Sequence, residues 1–145
     1  EISLYELVKN YTAFANKGEV KDIFYTGKIK AQRGSKILSE ESAFLISEML
    51  SEGTRIDLPR SWEFTMKNIK IAWKTGTSYG NYDALCIGYN ALYTVGVWLG
   101  NADRKPSKAL VGISSAGPVF FHIFNALSYN KDRWFKKPVS VKKER

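Results

Sequence analysis

At 145 residues, with 44% hydrophobic and 14% aromatic side chains, the chain has the length and apolar content of about one folded domain, which excludes a disordered segment. The net charge of +8 suggests nucleic acid, but residues 131–145 hold seven basic side chains against two acidic ones, the pattern of a basic linker or tail. No window approaches the roughly 20 apolar residues of a membrane span, and the lone Cys86 excludes an internal disulfide.

The first element is a helix opened by a capping box, Ser3 as N-cap and Glu6 at the third helical position. Leu4, Leu7, Val8, Tyr11, Phe14 and Ala15 then recur at helical spacing, and Gly18 marks the end. Residues 20–38 predict short irregular strands with turns at Thr26-Gly27 and Arg33-Gly34. Ser39 begins a second helix with Glu40 and Glu41 in its first turn. Its expected apolar face is Phe44, Leu45, Met49 and Leu50, and Gly53 closes it. A connection over 54–68, holding Pro59 and Trp62, leads to three strands over 69–78, 83–90 and 92–100. A tight reversal at Asn90-Ala91 makes the last two an antiparallel hairpin. Gly88 and Gly96 interrupt them, which predicts bulges or close packing by a neighbour. A polar loop over 101–107 precedes a final helix at roughly 115–129, with Pro118 in its first turn. The order is that of an α+β fold, an antiparallel three-stranded meander packed with helices.

Chemistry concentrates at Lys74-Thr75-Gly76-Thr77-Ser78, on the end of the first strand of that meander. A lysine beside hydroxyls can hold a substrate carboxylate. A glycine lets a second backbone approach, and the following amide can face a reaction centre. Lys-Thr-Gly on a strand is the third signature of penicillin-reactive serine acyltransferases, after Ser-x-x-Lys and Ser-x-Asn. Neither of the first two precedes residue 74. Ser128-Tyr129-Asn130-Lys131 and Ser140-Val141-Lys142-Lys143 match them in form, but follow the strand and are taken as chance. Tyr79-Gly80-Asn81 reads as a turn. Ser78 either joins the carboxylate site or caps the strand end, and Asp83 fixes the turn into the next strand. His122 has no Asp or Ser spaced for a triad and is expected in packing or at the surface. Trp73 and Trp98 are expected as core, and Cys86 as a small buried residue. No cluster has metal-ligand spacing and no phosphate loop is present, so no cofactor is expected.

The run Ile71 to Ser78, then Asp83-Ala84, Gly88-Tyr89 and Tyr93 to Gly100, closely resembles the penicillin-binding transpeptidase domain of the bifunctional class A enzymes. The opening helix resembles the segment that follows Ser-x-Asn, and Ser39 to Ala43 and Ala116-Gly117-Pro118 fall in the family's order. The resemblance assigns residues 1–130 to the C-terminal half of that domain. It implies that the meander is part of a five-stranded sheet. It further implies serine acyl transfer that cross-links peptidoglycan stem peptides and is blocked by β-lactams, those two being the partners, with no nucleic acid. Lys74 and Thr77 would be catalytic, Lys74 through its charge and Thr77 through an oxyanion-hole amide. Lys74, Thr75, Gly76, Thr77 and Ser78 would bind substrate. The complete protein would carry a glycosyltransferase domain and sit in the inner membrane, facing the periplasm, anchored by segments outside this chain. The sequence starts at Glu1 without a Met, the mark of a piece cut from something longer, and with the nucleophile half missing the piece alone is expected to be inactive. Water in place of an amine acceptor would make it a D,D-carboxypeptidase or β-lactamase relative, and a non-catalytic peptidoglycan-peptide-binding module also stays open.

Overall fold

The structure is a computed structural model that describes residues 2–24, 34–53, 69–127 and 133–142. The turn at Thr26-Gly27, the residue Arg33, the connection over 54–68 and the Ser128 to Lys131 match lie outside the described residues.

Helix α1 (Leu4–Ala15) starts as its sequence requires. Ser3 Oγ accepts the Glu6 N–H at 3.2 Å, and the Glu6 carboxylate returns to the Ser3 N–H at 2.8 Å. It ends where Lys17 and Gly18 take left-handed φ values of 56° and 92°, letting the Gly18 N–H donate back to the Ala13 carbonyl at 2.7 Å. A side chain at residue 18 would also stand 2.0 Å from the Leu38 carbonyl oxygen, so the glycine serves both the cap and the close approach of the chain just before the second helix. Strands β1 (Glu19–Val20) and β2 (Ser35–Lys36) pair as a short antiparallel ribbon beside this cap.

Helix α2 (Glu40–Ser51) is capped by Ser39, as its sequence predicts, and half-buries Phe44 and Leu50 of the expected face, but not the other two. Leu45 and Met49 are 48% and 71% exposed, whereas Ala43 and Ser47 are buried. Small residues allow the helix backbone to approach closely, and Ser47 Oγ is satisfied by the Ala43 carbonyl at 2.7 Å and the Tyr89 hydroxyl at 2.9 Å.

The meander consists of β3 (Ala72–Thr77), β4 (Asp83–Tyr89) and β5 (Thr94–Gly100), antiparallel in the order β3-β4-β5. The hairpin turn is held by Asn90, whose side-chain oxygen accepts the Leu92 and Tyr93 amides, each at 2.8 Å. Register runs unbroken through both glycines, so they are packing positions and not bulges. A Cβ at Gly88 would meet the Ala72 carbonyl oxygen at 2.4 Å and Phe120 at 2.7 Å, and one at Gly96 would meet Val8 of α1 at 2.5 Å. A π-helical turn, Gly112–Ala116, leads into α3 (Gly117–Leu127), which starts two residues inside the expected start, while the expected end at 129 lies outside the described residues.

Three layers result. One sheet face carries Ala84, Cys86, Val95 and Val97 against Phe120, Phe121 and Phe124 of α3, all buried. Trp73 joins this face edge-on to Phe121 at 5.0 Å, within the core as expected. The other face carries Tyr89, which meets Tyr11 and Phe14 of α1 at 6.2 and 5.8 Å. Residues 133–142, which charge alone assigns to a tail, lie along α2. There the Trp134 indole N–H and Lys70 both donate to Glu48, Phe135 packs on Tyr89 at 5.9 Å, and Ser140 donates to Glu41 at 2.7 Å. Ser140, the first residue of the Ser140-Val141-Lys142-Lys143 match, is therefore a contact with Glu41 of α2.

Candidate functional site

The site is built from the outer edge of β3, and the phase of the sheet decides what that edge presents. In an antiparallel ladder, opposite residues alternate between pairs that exchange backbone hydrogen bonds and pairs that do not. The Ser78 N–H donates to the Asp83 carbonyl at 3.0 Å, so Ser78 is in a bonded pair. Counting back through the register, Gly76 opposite Leu85 and Lys74 opposite Ile87 are bonded pairs too. Thr75 and Thr77 fall between them, and their peptide groups turn outward, away from β4. The Lys74 ammonium reaches one of these groups, donating to the Thr75 carbonyl.

Side chains follow the complementary alternation. Lys74 and Gly76 lie on the α1 face with Leu85 and Ile87, and Thr75 and Thr77 on the α3 face with Cys86 and Ala84. The strand end thus brings a cation, two threonine side chains and outward peptide groups to one open edge, with Lys74, Gly76 and Thr77 exposed. Gly76 is informative by contrast with Gly88. Among the described residues a Cβ there would find only Leu85 Cβ, at 3.7 Å, an ordinary contact. The packing of the described residues does not demand glycine at 76. A cavity of about 830 Å³ opens on the α1 side of this edge, bounded by Leu4, Leu7, Thr77, Trp98 and Arg104.

Ser78 and Asp83 organise the adjacent turn. Ser78 Oγ accepts the Asp83 N–H at 2.7 Å, and the Asp83 carboxylate accepts the Trp98 indole N–H at 2.8 Å. Gly80 and Asn81 have φ values of 76° and 59°, and Asn81 ties the turn to the following loop through the Leu110 carbonyl at 3.1 Å. Trp98, expected in the core, is 46% exposed with its indole N–H committed to Asp83. Its strand places it on the α1 face, where Gly96 leaves α1 room to settle and Trp98 lies beyond the helix. Burial pushes the Cys86 thiol up to about 12, with the nearby Lys74 charge pulling weakly the other way, so it is an inert core residue. His122 is exposed on α3.

Residue spacing alone does not reveal Gly112. Its N–H donates to Thr77 Oγ1 at 2.9 Å, and a Cβ there would stand 2.6 Å from the Gly76 carbonyl oxygen and 2.9 Å from that of Leu85. The only sequence signal is the glycine itself at the mouth of a helix.

The fold, taken with the comparisons with known proteins, defines a penicillin-binding protein domain. Penicillin-binding protein 1C of Escherichia coli strain K12 is 34% identical over 129 residues, covering 86% of this chain and 16% of its own length. Penicillin-binding protein 1A/1B of Bacillus subtilis strain 168 is 26% identical, covering 90% of this chain and 17% of its own length. The crystal structure of penicillin-binding protein 1A from Haemophilus influenzae superposes with a TM-score of 0.70 at 20% identity, over 95% of this chain and 28% of that one. No family model matches the chain. The chain belongs to the penicillin-binding protein family, a family of peptidoglycan-synthesis enzymes, and has the transpeptidase-like fold. It spans about a sixth of the length of these curated relatives.

Proposed function

We propose that this chain supplies one wall of a D,D-transpeptidase site that cross-links peptidoglycan stem peptides and is acylated by β-lactams. The observation that carries the reading is the phase of β3, which turns the Thr75 and Thr77 peptide groups outward beside Lys74. An extended peptide can pair with such an edge by main-chain hydrogen bonds. Lys74, with the Thr75 and Thr77 hydroxyls and with Ser78 at the strand end, gives charge-assisted bonds to a terminal carboxylate. Gly76 leaves the approach clear. The Thr77 N–H is then one of two oxyanion donors, each typically worth about 3 kcal/mol of barrier.

The nucleophilic serine comes from a part of the complete protein outside this chain. Its oxygen adds to the penultimate D-Ala carbonyl, the C–N bond to the terminal D-Ala breaks, and the departing amine takes a proton. An amine of a second strand then attacks the ester and releases the serine. Lys74 acts by its charge, favouring anionic groups at the edge, and the chain alone is inactive. The complete protein also carries a glycosyltransferase domain and is held in the inner membrane with its catalytic part in the periplasm. Thr75→Val with Thr77→Val in the complete protein tests the assignment. β-Lactam acylation is expected to slow by at least about tenfold, since hydrogen bonds to charged groups are worth about 1.5–3 kcal/mol each, while the domain stays folded and melts only modestly earlier through loss of the Gly112 N–H acceptor. Acylation at the wild-type rate would remove the edge from the site.

A further inference from the structure

Gly112 commits both of its backbone polar groups. Its carbonyl accepts the Gly117 N–H, closing the wide π-helical turn, and its N–H leaves the turn to reach Thr77 Oγ1 at 2.9 Å across 35 residues of sequence. A hydroxyl has one proton to give and two lone pairs. With one lone pair fixed by the Gly112 N–H, the Thr77 hydroxyl is held in one orientation and its own proton is left for another acceptor. The donor stands on a rigid mount, because α3 continues directly from the turn and seats Phe120, Phe121 and Phe124 in the core.

Only glycine allows this approach, and the reason is space. A Cβ would stand 2.6 Å from the Gly76 carbonyl oxygen, 2.9 Å from the Leu85 carbonyl oxygen and 3.0 Å from Thr75 Cβ. The first two are sheet backbone and cannot rotate away. Any side chain at 112 therefore pushes the turn off β3 and lengthens the bond to Thr77.

We propose that Gly112 is a positioning residue for carboxylate recognition, orienting the Thr77 hydroxyl so that it donates to the carboxylate of the bound ligand. The inference rests on the carboxylate role proposed above for the β3 edge. It makes a backbone amide on the α3 side part of ligand selection, without contact with the ligand.

The test compares a penicillin with its methyl ester as acylating agents of the complete protein, and reads the ratio of their second-order rates. Thr77→Val is expected to lower the acid-to-ester ratio by about tenfold or more. Gly112→Ala is expected to lower it about tenfold in the wild type and to change it little further in the Thr77→Val background. A merely structural role would slow acid and ester alike and leave the ratio untouched. If Thr77→Val leaves the ratio unchanged, the carboxylate reading itself falls. If Thr77→Val lowers it and a folded Gly112→Ala does not, the edge stands and the role of Gly112 is overturned. Should Gly112→Ala fail to fold, amide exchange decides from the other end of the bond. The Gly112 N–H is expected to exchange at least tenfold faster in Thr77→Val, and an unchanged rate would overturn the proposal.

Discussion

Two glycines on neighbouring strands should respond oppositely to the same added methyl group. At Gly88 a Cβ would stand 2.4 Å from the Ala72 carbonyl oxygen, 2.7 Å from Phe120 and 2.8 Å from Trp73 Cβ, so sheet and α3 must separate. Overpacking of this kind costs about 1–3 kcal/mol. At Gly76 the nearest atom among the described residues is Leu85 Cβ at 3.7 Å, and the backbone φ lies outside the left-handed region. Alanine there restricts the unfolded chain and is expected to stabilise by about 0.4–1 kcal/mol. The two variants should therefore differ by roughly 1.5–4 kcal/mol, or about 3–16 °C in melting temperature for a domain of this size or larger. Differential scanning calorimetry of the complete protein reads the first quantity and acylation by a fluorescent penicillin the second. Gly88→Ala is expected to melt early yet acylate normally while folded. Gly76→Ala is expected to melt at or above the wild type while acylation falls by tenfold or more, about 1.4 kcal/mol of barrier. If Gly76→Ala melts as early as Gly88→Ala, or acylates at the full rate, residue 76 is not glycine for the ligand's sake.

The Ser47–Tyr89 bond between α2 and the sheet gives an asymmetric pair of variants. Ser47→Ala leaves the buried Tyr89 hydroxyl without that partner and should cost about 1–3 kcal/mol by urea unfolding, whereas Tyr89→Phe should cost less because Ser47 keeps the Ala43 carbonyl. Equal losses would contradict this. Glu48→Gln weakens the hold on both Lys70 and Trp134. It should speed proteolysis near residues 133–142, and an unchanged cleavage rate would mean that Phe135 and Ser140 suffice. The Ser3 backbone amide, and then its hydroxyl, hold the Glu6 carboxyl below its usual 4.5. A depressed folded-state pKa adds stability that is present above the unfolded value and lost as pH falls through the folded one. Glu6→Gln should therefore flatten the acid limb of stability below about pH 4.5, and an unchanged limb would assign it to other carboxylates.

What the sequence discloses depends on how local the cause is. The capping box at Ser3 and Glu6, the reversal at Asn90 and the period of the three strands each lie within a few residues, and all are legible. The face of α2 is legible only in part, through the half-buried Phe44 and Leu50. Hydropathy ranks Leu45 and Met49 above Ala43 and Ser47, but the helix docks through the positions that let its backbone come close. Residues 133–142 deceive for a related reason. Their lysines and arginine dominate the composition, while Trp134 and Phe135 make the contacts. Gly112 meets Thr77 from 35 positions away, a distance no periodicity spans.

The strand Lys74 to Ser78 shows how far a motif can be taken once one hydrogen bond is known. Side-chain alternation alone puts Lys74 and Gly76 on one face and Thr75 and Thr77 on the other, which at first divides the site. Backbone alternation reunites it, because the residues whose side chains share the α3 face are those whose peptide groups leave the sheet. The bond from the Ser78 amide to the Asp83 carbonyl selects this phase over its opposite, in which Lys74 and Gly76 would offer their amides to the edge. The turn over residues 78–83, with Ser78 Oγ on the Asp83 amide and left-handed Gly80 and Asn81, is thus what aims the strand. A one-residue change in its length would exchange which residues turn their peptide groups outward and leave the Lys-Thr-Gly tripeptide intact in sequence.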